Sequence, residues 1–224
     1  MTHFSDGVRV GRNFTNNGLA TLPGGPVSPI YVYDVVPVAL SATAVAAAQA
    51  VAGAGNLTIN GASASGGVAT FDVPRAVSIV SSNAGDTTQT ATVYGTDLYG
   101  IAVTETITFN GTTTVNGKKA FLKVTRVAIS AALAGNGSVG STDILGLPFA
   151  ASSRNYVMTA YNGAQVTTGT FVGADATTAT ATTGDVRGTF VPASATDGSK
   201  RLTAYIYLSN TETVTGLYGV AQYS

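Results

Sequence analysis

Apolar and polar residues alternate with a period of two along much of the chain. In residues 101–109 (IAVTETITF), Val103, Ile107 and Phe109 share one parity, and Thr104, Thr106 and Thr108 take the other. A period of two puts each set on its own face, so this stretch predicts a half-buried strand. Residues 57–59, 68–73, 76–81, 90–95 and 119–130 also read as strands, and turns rich in Asn, Gly and Ser separate them (NGASASGG, SNAGDTT, GTDLYG, NGTTTVNGK). Short strands with turns roughly every eight to twelve residues predict an all-β antiparallel sandwich, immunoglobulin-like or jelly-roll-like.

In residues 119–130 the phase slips. Leu122 and Val124 lie on even positions, Val127 and Ile129 on odd ones. A change of parity needs one extra residue, which predicts a β-bulge near Thr125 and Arg126 or a crossing between sheets there. If alternation holds up to Lys123, then Lys119, Phe121 and Lys123 share a face. The Asn-Gly pairs at Asn110 and Asn116 read as hairpin chemistry, supplying the positive φ that tight connections need. Residues 135–140 (GNGSVG) look like a phosphate loop. They lack the Gly-Lys-Ser/Thr ending and no helix follows, so they read as a β-turn.

Three regions follow from these patterns. Residues 1–34 read as an extended N-terminal arm, because NNG at 16–18 and PGGPVSP at 23–29 break regular structure. Ile30, Tyr31 and Tyr33 give that arm something to dock with, on its own domain or on a neighbouring subunit. Residues 35–150 form the sandwich domain and 151–224 a second β-rich domain. In the latter, GTFVGADATT (169–178) is echoed by GTFVPASATD (188–197), which predicts two similar strands. RLTAYIYL (201–208) puts Leu202, Ala204, Ile206 and Leu208 on one face and Tyr205 and Tyr207 on the other. The two tyrosines suit either an oligomer contact or packing under a loop.

Composition narrows the function. Charged residues make up only 10% of the 224, against 27 Gly and 34 Thr, and the formal net charge is zero. A nucleic-acid binder shows a basic excess, which is missing here. A surface with so little charge suits a protein packed against partners better than a free monomer. With no Cys there is no disulfide framework and no thiolate metal site. The N-terminus has no apolar core of the length a secretory signal requires. The apolar run at 35–55 is mostly alanine, interrupted by Pro37 and Gln49, and predicts no membrane span.

Catalytic chemistry has little to work with. His3 is the only histidine, so a Ser–His or Cys–His pair or an ordinary zinc site cannot be assembled. The two glutamates, Glu105 and Glu212, and nine aspartates are scattered singly. Asp72, Asp86, Asp97, Asp143, Asp185 and Asp197 sit at strand ends or beside Gly, where Asp caps turn amides. We expect no enzyme activity, cofactor or metal. The one basic cluster is Lys118, Lys119, Lys123 and Arg126. Lysines on an exposed strand block unwanted edge pairing, and they also suit an acidic partner.

Four segments together carry a resemblance: residues 45–79, 89–130 (QTATVYGTDLYGIAVTETITFNGTTTVNGKKAFLKVTRVAIS), 138–149 (SVGSTDILGLPF) and 180–208. The series resembles structural proteins of tailed-bacteriophage virions, in particular head decoration (capsid cement) proteins, and covers most of the chain. The resemblance implies a non-enzymatic, β-rich accessory subunit, likewise homo-oligomeric, assembled in the host cytoplasm. Its partner would be the major capsid protein on the outer capsid surface, with no nucleic acid, membrane or small-molecule substrate. Partner contacts are expected at Ile30, Tyr31, Tyr33, Lys119, Lys123, Tyr205 and Tyr207. A phage tail, adaptor or host-binding fibre component is the alternative virion role. A bacterial adhesin module and a carbohydrate-active enzyme are the readings outside the virion.

Overall fold

Strands dominate because the chain is rich in Thr, Val and Ala punctuated by turn-forming Gly and Asn, with few of the long charged residues that favour helices. A computed structural model describes residues 30–166, 169–175 and 184–207. Fifteen strands lie within them: β1 (Ile30–Val35), β2 (Ala46–Ala50), β3 (Gly55–Asn56), β4 (Ala64–Ser65), β5 (Val68–Ser81), β6 (Thr90–Thr96), β7 (Ala102–Thr108), β8 (Val115–Asn116), β9 (Phe121–Ile129), β10 (Asn136–Gly146), β11 (Val157–Tyr161), β12 (Ala164–Val166), β13 (Thr170–Val172), β14 (Thr189–Val191) and β15 (Leu202–Tyr207). The only helical element among the described residues is one 3-10 turn, Arg154–Tyr156.

The protein is all-β and antiparallel, as the alternation predicts. Its larger sheet runs β13-β14-β10-β5-β9-β6-β7, with β2 on β10, β3 on β9, and β4 and β8 on β5. The smaller sheet runs β12-β11-β15-β1. Two hydrophobic cores result. The first gathers Val45, Phe71, Val77, Ile79, Val93, Ile107, Phe109, Phe121, Val124, Val127 and Val139. The second gathers Val73, Leu145, Leu147, Phe149, Val157, Phe190, Leu202 and Ile206, with Tyr33 and Val35 packed against it.

Several expectations are met. The pairing of β9 with β6 shifts register between Val124 and Arg126, the site predicted for a bulge, and both Thr125 and Arg126 point to solvent. The echoed segments pair antiparallel as β13 and β14, with Phe171 opposite Phe190. In β15, Leu202, Ala204 and Ile206 are buried and Tyr205 and Tyr207 are exposed.

Other expectations are corrected. Residues 68–73 and 76–81 form one strand, β5, of 14 residues. Pro74 is tolerated because the ladders on both sides of it are irregular, with register shifts between Phe121 and Lys123 and between Ser141 and Leu145. The same shift in β9 leaves Phe121 buried and Lys123 exposed, so they do not share a face. Residues 57–59 are not a strand. The Gln49 side chain takes the place of a ladder partner, accepting from Thr58 N (2.9 Å) and donating to Thr58 O (3.0 Å). Residues 136–140 of the GNGSVG stretch belong to β10, with Asn136 paired to β2 and residues 137–140 to β5.

The Asn-Gly pairs also divide. Gly111 has φ +59°, and Thr113 N donates to Asn110 O at 3.1 Å, closing a tight turn. Gly117 has no positive φ. A Cβ there would lie 2.5 Å from Glu105 Oε2, so glycine is needed for close approach instead. Among the described residues two turns have positive φ at both positions: Gly66–Gly67 (+59° and +80°), joining β4 to β5, and Asn162–Gly163 (+52° and +79°), joining β11 to β12.

Residues 1–29 of the expected arm lie outside the described residues. Its last part does not stay extended alone. Residues 30–35 form β1, paired with β15 from Ile30↔Tyr207 to Val35↔Leu202.

Candidate functional site

The aspartates that stud the turns act as ties. Asp86 is buried and accepts from Ala134 N (2.9 Å), Gly135 N (3.1 Å) and the Ser81 hydroxyl. The Ser81 bond is the main reason its carboxyl is held below the usual range, with the amides adding to it. Asp97 accepts from Tyr99 N and Ile101 N and forms a buried ion pair with Arg187 at 2.9 Å. Asp185 accepts from Ala120 N and Arg187 N, both at 2.9 Å. Asp72 binds Val38 N (2.7 Å) and Arg75 (2.9 Å), Asp143 binds the Thr196 hydroxyl (2.6 Å), and Asp197 binds Ser199 N and Lys200 N. Among the described residues no three of His, Cys, Asp and Glu gather as metal ligands. A half-open cavity of about 290 Å³ is lined by Leu40, Ser78, Asn116, Thr142, Asp143 and Val191. That is at the small end for a ligand pocket, and Asp143, its one carboxylate, is already bonded.

The expected basic cluster separates. Lys119 is buried, and its ammonium donates to Thr104 O at 2.9 Å. Burial lowers its pKa, opposed by the charge of Glu105. Burial likewise raises the pKa of Glu105, against the amides of Lys118 and Lys119 that donate to it. Lys119 therefore sits inside the protein and offers no partner surface. Lys123 is exposed on β9, and Arg126 stacks over the Tyr94 ring at 3.6 Å.

A different surface is built for contact. In the small sheet the register places Val32, Tyr205 and Met158 side by side across β1, β15 and β11, with Ile30 beside Tyr207. All five face outward: Ile30 is 63% exposed, Val32 50% and Met158 52%, and both tyrosines are exposed. The opposite face of the same strands carries Ile206, Ala204, Leu202, Val157 and Tyr161 into the second core. The strands alternate, yet both faces are apolar. That is unusual for a sheet with one face open to water, where the outer face is ordinarily polar.

The only charge on the outer face of β1 is Asp34, and it is bonded to Arg201 (2.6 Å) and to the Thr203 hydroxyl (3.2 Å). Of the residues expected to touch a partner, Ile30, Tyr205 and Tyr207 lie together on this face. Tyr31 and Tyr33 have the other parity. Tyr31 stands edge-on to Phe149, with ring centres 4.4 Å apart, and burial raises the pKa of the Tyr33 hydroxyl. Val32 and Met158 were missed. Splitting IYVYDV by parity separates Ile30 and Val32 from the two tyrosines, and that signal was available in the sequence.

Compared with known proteins, the chain matches no family model, no curated protein and no solved structure.

Proposed function

We propose that this protein is a non-enzymatic structural subunit of a tailed-phage virion, a decoration protein that binds the outer capsid surface and stabilises the shell. The observation that carries the reading is the outer face of β12-β11-β15-β1. It offers aliphatic and aromatic groups to a partner on a rigid sheet, with its one charged group on β1 already paired with Arg201. Docking there costs little polar desolvation and little side-chain ordering. The resemblance of residues 45–79, 89–130, 138–149 and 180–208 to virion proteins supplies the partner, the major capsid protein. Contacts repeated over a symmetric lattice reinforce one another through effective concentration. Burial that exists only in the assembled shell stabilises the shell by mass action.

The test is particle composition together with capsid binding. Purified particles should carry the protein at a copy number commensurate with the capsid lattice. Tyr205→Ser combined with Met158→Ser should leave a folded protein that no longer decorates capsids lacking it. A copy number matching a tail, neck or fibre would replace this reading with one of those roles, and full decoration by the double variant would remove the face from it.

A further inference from the structure

The small sheet ends in an edge built unlike the others. Strand β1 lies at the margin of the sheet among the described residues and pairs with β15 through six consecutive positions without a register shift. Its sequence, IYVYDV, contains no Lys, Pro or Gly, and its single charge is bound to Arg201. Edge strands are normally guarded by such residues, by a bulge or by shortness. The opposite edge, β12, has three residues, as does the β13 edge of the large sheet. On the β7 edge Glu105 projects beneath the amides of Lys118 and Lys119.

We infer that β1 pairs with β1 of a second copy of this chain, antiparallel about a two-fold axis at Val32, to make one sheet of eight strands. Parity limits the choice of register. Outward residues must meet outward residues, so the axis has to pass through a residue and not between two. Two registers keep five positions paired. With the axis at Val32, Ile30 lies opposite the partner copy's Asp34 and Tyr31 opposite its Tyr33. With the axis at Tyr33, Val32 lies opposite Asp34. Charge separates the two. With the spacing between strands included, the two Asp34 Cα atoms lie about 14 Å apart in the first register and about 8 Å apart in the second. The shorter distance is comparable to the ~8 Å screening length and the longer one well beyond it, so the two charges repel more in the second register. The first register also moves both charges to the ends of the ladder and leaves Val32 against Val32 at its centre.

Area separates edge pairing from stacking the two apolar faces. Four strands about 4.8 Å apart, two of six residues, one of five and one of three, present roughly 300 Å². Two such faces stacked bury about 600 Å², the size of a crystal contact and short of the ~1,200 Å² at which specific interfaces begin. Edge pairing adds main-chain hydrogen bonds and leaves both faces free on one side. The joined face measures roughly 600 Å², one partner's share at the ~1,200 Å² where specific interfaces begin. The pairing does not depend on the capsid reading, since it uses the edge and not the face.

The absence of cysteine makes a single-site test clean. In Val32→Cys the two thiols meet across the axis, with Cα atoms about 4.5–5.5 Å apart, and oxidation should give a disulfide-linked dimer. In Tyr205→Cys the thiols lie three strand spacings apart, about 14 Å, and should not cross-link. The wild-type chain should sediment as a dimer, and Val32→Lys as a monomer with an unchanged circular dichroism spectrum and a melting temperature that no longer rises with concentration. A wild-type chain that stays monomeric across a concentration series overturns the inference. So does cross-linking at position 205 but not at 32, the signature of stacked faces. Loss of capsid binding by the Tyr205 and Met158 double variant with the dimer intact keeps the two proposals distinguishable.

Discussion

Strand β5 in the large sheet and strand β15 in the small one solve the same problem differently. From Val73 to Ile79 every residue of β5 is buried, because β9 and β10 flank it and chain covers both its faces. In β15 burial alternates strictly, one face in the second core and the other in solvent. The fully covered strand supplies rigidity, and its sequence is free of the demand for polar alternation. The half-covered strand has to put something on its open side, and it puts tyrosines there. The contrast teaches that function in this chain is written on the faces the cores leave over, and stability on those they consume.

Substitutions should split along that line. The largest effect is expected from Phe121→Ala, which empties a fully buried position of the first core and should cost about 3–5 kcal/mol by chemical denaturation. Asp97→Ala removes the carboxylate facing Arg187 and should cost about 3 kcal/mol, while Asp97→Asn, which keeps the bonds to the Tyr99 and Ile101 amides, should cost less. An intermediate effect is expected from acid. The carboxyl of Asp86 is held low in the folded state, so its contribution is present above its unfolded pKa of about 3.9 and is lost as pH falls through the lower folded value. Melting temperature should therefore drop below about pH 4, and Asp86→Asn should flatten that part of the curve. The smallest effect belongs to the open face. Tyr205→Ser and Met158→Ser should each change stability by no more than about 0.5 kcal/mol, measured the same way. If the face variants destabilise as much as Phe121→Ala, the open face is structural and the contrast fails.

The sequence was legible where one face met water. Residues 101–109 and 201–207 alternate, and each is a strand with the predicted face inward. The bulge after Val124 was legible for the same reason, since a parity slip needs an extra residue. Reading failed where both faces are covered or where side chains replace backbone. Pro74 looked like a break between two strands because the irregular ladders that accommodate it are tertiary features. Asn116–Gly117 looked like a hairpin because close approach and positive φ demand the same residue. Lys119 looked solvent-facing because nothing local signals that Thr104 O and a loop will enclose it. The candidate face was half legible. Tyr205 and Tyr207 announce it, but Val32 and Met158 join only when β1 and β11 are seated on either side of β15.

The pairing of Ile30 with Tyr207 also sets an order in time. Strand β1 leaves the ribosome well before its partner β15. At about 5–20 residues per second, the roughly 170 residues between them take on the order of 10–30 s to synthesise. For that interval this apolar strand lacks β15, its neighbour among the described residues, and the large sheet can form without it. Newly made chains on neighbouring ribosomes of one message present the same strand at the same stage. Slow translation should therefore favour misassembly through β1, and rapid completion of the chain should protect against it.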